Sequence, residues 1–156
     1  MSTNSALRSF SGVALAWLAA VLVAAALGSI IQTQYNMAAI RALDAPVPAG
    51  TWVMVTLKDL LGFGGFYGAA VAVSFVVGLG VAALVARVLP SWRTLVFTLA
   101  GGVAIFGFLQ ILPVFLPAAD LKIIAATRYA SAVALMVMAG AVGGWVYARL
   151  RPLPGQ

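Results

Sequence analysis

The stretch GVALAWLAAVLVAAALGSIIQTQYN, Gly12 to Asn36, decides how the chain is read. Its first twenty residues, Gly12 to Ile31, contain no charge, and twenty residues at 1.5 Å per residue reach across the ~30 Å of bilayer hydrocarbon. The run is longer than a typical signal-peptide core, so it is read as a retained membrane span even though Arg8 precedes it and AAALGS could pass for a cleavage site. Comparable apolar runs recur, which gives four spans at about 12–34, 66–88, 92–116 and 124–148. The expected fold is an all-α integral membrane bundle of four transmembrane helices, one domain over 1–156. A short amphipathic, extracytoplasmic helix is expected at about 51–62, between spans one and two.

Composition agrees and narrows the chemistry. Of 156 residues, 64% are hydrophobic and 8% charged, where a soluble domain carries about a quarter charged residues. The chain has neither Cys nor His, which removes thiolate nucleophiles, disulfides, imidazole bases and most zinc sites together. Its three acidic residues, Asp44, Asp59 and Asp120, are far apart in sequence, so neither a carboxylate metal cage nor any other cofactor is expected. The net charge of +6 lies at helix ends and loops. That distribution suits anionic lipid headgroups better than nucleic acid.

Basic residues near span ends favour the cytoplasm. Arg8, Arg87, Arg93, Arg149 and Arg151 fall on one side with no acidic residue, while Arg41, Lys58, Lys122 and Arg128 share the other side with all three aspartates. The expected topology is multi-pass in an inner (plasma) membrane, with both termini inside. Trp92, Trp145 and Tyr147 would then mark the inner interface, and Tyr35, Trp52, Phe66, Tyr67 and Tyr129 the outer one. Pro90 and Ser91 set a tight turn between spans two and three, with Ser91 expected to cap the third.

The polar content collects on the outer side. Nothing breaks a helix between Ile31 and Asp44-Ala-Pro46, so the first helix is expected to run on to about Leu43. Thr51 is expected to cap the short helix, and the glycines of GFGGFYG, Gly62 to Gly68, to turn the chain into span two. Asp120 is expected to start the last helix ahead of Arg128. Ser29, Gln32, Thr33 and Asn36 fall at i, i+3, i+4 and i+7 on one helical stripe. Facing lipid, four such groups would lack partners, so the stripe should face protein or water. Gln110, in FLQILP near the outer end of span three, is the expected partner across the bundle. Three outcomes follow: the amides join helices to one another, they line a polar pocket of Gln32, Asn36, Gln110, Asp59 and Arg128 that binds a small polar ligand or a lipid headgroup, or the stripe is partly exposed to lipid at headgroup depth.

Glycines four apart let helices approach closely, and Gly64 with Gly68 and Gly140 with Gly144 are two such pairs. The second pair could serve self-association or packing within the chain. The functional expectation is a non-enzymatic accessory, assembly or ligand-binding module whose partners are membrane lipids and a homo-oligomer or larger membrane complex. One alternative is a small oligomeric transporter or channel, although proton coupling usually needs a carboxylate within the membrane. Another is a lipid-acting membrane enzyme with Asp59 or Asp120 as base.

Overall fold

A computed structural model describes residues 3–43, 48–115 and 129–151, all in or next to helices. Five α-helices follow one another: α1 Thr3–Arg41, α2 Ala49–Leu61, α3 Phe63–Val88, α4 Arg93–Phe115 and α5 Ala130–Leu150, with one turn of 3₁₀ helix at Pro90–Trp92 before α4. No strand occurs among the described residues. Four of the five are long and apolar enough to cross a membrane.

The bundle is antiparallel throughout. α1 packs on α3 and α5, and α4 packs on the same two, so α1 and α4 stand diagonally across the bundle. Each helix turns one stripe inward at three- and four-residue spacing. In α3 this is Tyr67, Val71, Phe75, Leu79 and Ala82, and in α4 it is Phe97, Ile105 and Leu109. The centre is filled by Val71, Phe75, Phe97, Ile105 and Met136, all fully buried. The opposite faces are as apolar as the core: Val73, Val76, Val77, Val81 and Leu84 of α3 lie exposed, as do Leu99, Val103 and Phe106 of α4. Apolar side chains all round a helix are what lipid requires and water penalises. Two hydroxyls on α3 and α4 are satisfied within their own helices, Ser74 donating to the Ala70 carbonyl at 2.8 Å and Thr98 to that of Thr94 at 2.8 Å.

Glycines set the close contacts. A Cβ on Gly144 would run into the Phe97 carbonyl and come within 3.2 Å of the Gly101 Cα, and one on Gly140 would meet the Gly101 carbonyl at 2.6 Å and the Ile105 side chain. Gly143 faces α1 instead, where a Cβ would lie 2.9 Å from the Ala20 carbonyl. The Gly140–Gly144 pair is therefore occupied within the chain and is not left over for self-association. Gly68 and Gly64 likewise pack on α1, against Ala25 and Ser29.

Several local expectations are corrected. Ser91 lies inside the 3₁₀ turn and makes no capping bond, α4 starting at Arg93. The cap position of α2 is Pro48, whose φ of −61° suits an extended residue at a helix start; Thr51 lies within the helix. The chain passes from α2 to α3 through Gly62 alone, at φ −82° and ψ −72°, so the junction is a one-residue break in the helix. Tyr129 is extended at φ −114° and ψ 125°. The described part of the last span is α5 from Ala130, and the expected start near 124 and the expected cap Asp120 lie outside the described residues.

Candidate functional site

α1 has 39 residues, about 59 Å at 1.5 Å per residue, which is far more than hydrocarbon needs. Its excess on the C-terminal side is where α2 packs. Paired contacts fix the direction: Arg41 lies over the Trp52 ring at 5.5 Å, Gln34 meets Trp52 and Thr56, and Ser29 and Thr33 meet Asp59. Residue numbers rise in α1 as they fall in α2, so α2 runs antiparallel alongside α1. It turns Trp52, Val55, Thr56, Asp59 and Leu60 inward, half-buried, and leaves Val53, Met54, Leu57 and Leu61 exposed. That apolar outer side fits the headgroup and acyl boundary.

Two hydroxyls of α1 hold the C-terminal half of α2. Ser29 is buried and donates to the Asp59 backbone carbonyl at 3.1 Å. Thr33, with no exposed surface, places its hydroxyl 2.8 Å from Asp59 Oδ2 and 3.0 Å from the Ser29 carbonyl. A hydroxyl has one proton, and the shorter approach with a carboxylate acceptor favours Asp59. Gly64 lies against the same junction, where a Cβ would sit 3.6 Å from the Asp59 carbonyl and 3.7 Å from Ser29 Oγ. On the other flank the Trp52 indole N–H donates to the Gln34 side-chain oxygen at 2.8 Å.

Beside this junction, α1, α2 and the start of α5 enclose a cleft of about 440 Å³ lined by Tyr35, Asn36, Met37, Ala39, Ile40, Val55, Asp59 and Tyr129. Ala39, Ile40 and Tyr129 are exposed, so the cleft opens at the surface. Tyr35 and Tyr129 form one wall as a tilted ring pair with centroids 5.6 Å apart, and the Tyr35 hydroxyl donates to Ser131 at 2.8 Å. Asp59 and Asn36, both half-buried, supply the polar side chains of the facing helices.

Of the five residues expected to form a pocket, the structure brings Asn36 and Asp59 together on the cleft. Gln32 is on the same stripe of α1 but buried at 4% exposure, one turn deeper. Gln110 is exposed and does not face Gln32. The reason is rotational: Phe97, Ile105 and Leu109 hold the inward stripe of α4, and Gln110 is one residue, about 100°, past it. α4 also stands across the diagonal from α1. Arg128 lies outside the described residues. Tyr35 and Tyr129, read from sequence as interface residues, are walls of the cleft. Gln34, off the stripe of Ser29, Gln32, Thr33 and Asn36, engages α2 through Trp52 and Thr56. The placement of Gln34 depends on α2 folding back along α1, and the tyrosine wall on the start of α5 packing against α1.

The cleft's chemistry is acceptor-rich and apolar in alternation. It has no imidazole or thiol, since the chain has neither. Among the described residues no three acidic, His or Cys side chains come together to hold a metal ion. The Thr33–Asp59 pair has the spacing of a nucleophile and base, but Thr33 has no exposed surface through which a substrate could reach it. Fold and surface together define an integral membrane protein, a four-span helix bundle with an additional short helix. The chain matches no protein-family model, no curated protein and no solved structure.

Proposed function

We propose that the protein is a non-catalytic membrane module that holds a lipid headgroup or small polar ligand in the α1–α2 cleft. The observation that carries this reading is the cleft itself: about 440 Å³, open at the surface, with the Asp59 carboxylate and the Asn36 amide beside two tyrosine rings. A few polar groups in a largely apolar concavity are the usual make-up of a ligand site. Its acceptors suit a ligand that brings N–H or O–H donors, as the ammonium of an ethanolamine headgroup does. Arg87, Arg93, Arg149 and Arg151 cluster at the far end, which by the basic-residue rule faces the cytoplasm. The cleft then opens at the outer leaflet of an inner (plasma) membrane, with both termini inside.

The test uses the full chain in nanodiscs of phosphatidylcholine, with or without phosphatidylethanolamine. Hydrogen exchange across 35–41 and 49–61 is expected to slow with phosphatidylethanolamine, and Asp59→Asn to remove that difference. Equal exchange in both lipids, in wild type and variant alike, would overturn the proposal. A solute transporter is the alternative, but the fully buried Phe75, Phe97, Ile105 and Met136 fill the centre of the bundle. Any path would have to run between copies, and the spaced pairs Gly64–Gly68 and Gly140–Gly144 pack inside the chain.

A further inference from the structure

At the end of the bundle opposite the cleft, Arg93 starts α4 and Arg151 follows α5. Their guanidinium carbons lie 5.9 and 5.4 Å from the centroid of one ring, that of Phe97, and Arg151 is also 5.6 Å from that of Tyr147. Phe97 and Tyr147 are themselves an edge-to-face pair with centroids 5.1 Å apart, both buried. Arg93 donates to the Arg151 carbonyl at 3.0 Å, which ties the two helix ends together. The outcome is two like charges, each half-buried, held over one aromatic platform. The only carboxylate side chain among the described residues, Asp59, is at the opposite end. Two cations held this close favour an anion between them.

The depth identifies the anion. Trp92 in the turn before α4 and Trp145 in α5 are both exposed, and exposed tryptophans near span ends sit at the headgroup boundary. Arg151 lies six residues past Trp145, about 9 Å further along the axis and away from the hydrocarbon. This is the level of lipid phosphates. The guanidinium fork matches two phosphate oxygens in one plane, and cation–π contact fixes each fork without using its donors. We infer that Arg93 and Arg151 form a phosphate-binding site, filled by the phosphodiester of an anionic lipid in the leaflet on that side. Arg149 is the internal comparison: it is exposed in the same last turn and stacks on Trp145 at 5.3 Å, with no second arginine over that ring among the described residues.

The experiment measures retention of phosphatidylglycerol by native mass spectrometry and its affinity in mixed micelles, using the full chain. Arg93→Gln with Arg151→Gln is expected to weaken phosphatidylglycerol binding about tenfold or more. Arg149→Gln is expected to change it about twofold or less, and phosphatidylcholine retention to stay level in all variants. Arg151→Lys, which keeps the charge but not the fork, should fall between wild type and the double variant; it also serves if the double variant fails to fold. Equal losses for Arg149→Gln and the double variant would mean surface charge alone and would overturn the site. Inorganic phosphate that binds the wild type while phosphatidylglycerol does not would overturn the lipid as its source; phosphate that displaces phosphatidylglycerol at millimolar concentration would support it.

Discussion

Thr33 and Ser29 are small polar residues in the wall of an apolar helix, and their hydroxyls decide how α2 is held. Thr33→Val keeps the shape and removes the bond to Asp59 at 2.8 Å. An interhelical bond of this kind contributes on the order of 0.6 to 1.7 kcal/mol. Thr33→Val and Ser29→Ala should therefore raise hydrogen exchange in α2 and leave α4 and α5 as they were; an unchanged α2 would show that it is held by other contacts. The two glutamines should respond in opposite ways. Gln110 is exposed, so Gln110→Leu should shift stability by about 0.5 kcal/mol or less in thermal unfolding in detergent. Gln32 is buried, and Gln32→Leu should cost about 1 to 3 kcal/mol by stranding its partners. A larger loss at Gln110 than at Gln32 would mean that the assignment of their faces is reversed. Sequence placed both residues on polar duty, and only the rotation of α4 separates them.

Between elements, the glycines carry the specificity. At Gly144 the obstacle to a Cβ is the backbone of α4, which cannot move aside as a flexible side chain can, so Gly144→Ala must push α4 and α5 apart. Overpacking of this kind costs about 1 to 3 kcal/mol. Gly80 has nothing within 4 Å of its would-be Cβ, and there Gly80→Ala should gain up to about 1 kcal/mol from helix propensity. Unfolding of the two variants side by side reads the contrast, and equal effects would contradict an intramolecular α4–α5 seam. Sequence spacing revealed that Gly140 and Gly144 could serve a close contact. It could not reveal which helix takes it, since a GxxxG pair looks the same facing another copy or another part of the chain. The fold-back of α2 was illegible for a similar reason: Trp52, Val55, Thr56, Asp59 and Leu60 form a stripe at helical spacing, but the stripe does not name the surface it meets.

For the whole molecule, topology is the first quantity to measure, and the absence of Cys makes it direct. Single cysteines at the exposed positions Ala42 and Ser91 should react with an impermeant maleimide on opposite sides: Ala42→Cys in intact cells and Ser91→Cys only after permeabilisation. The reverse pattern would invert the bundle and place the cleft on the cytoplasmic side. The sequence by itself determined the class of protein. Runs of twenty apolar residues have one stable solution in lipid, the helix, because every backbone N–H and C=O must be paired within the segment; count, approximate span and bundle follow from length alone. Tertiary structure decided which polar residues meet. Meeting depends on the rotation of each helix about its axis and on the direction in which α2 packs, and both are set by the fit of side chains such as Phe75 against Gly143 and Tyr67 against Gly28. Those contacts join residues tens of positions apart. Thus Asn36 and Asp59 share a cleft, Gln110 is turned away, and Arg93 and Arg151 come to rest on one aromatic pair.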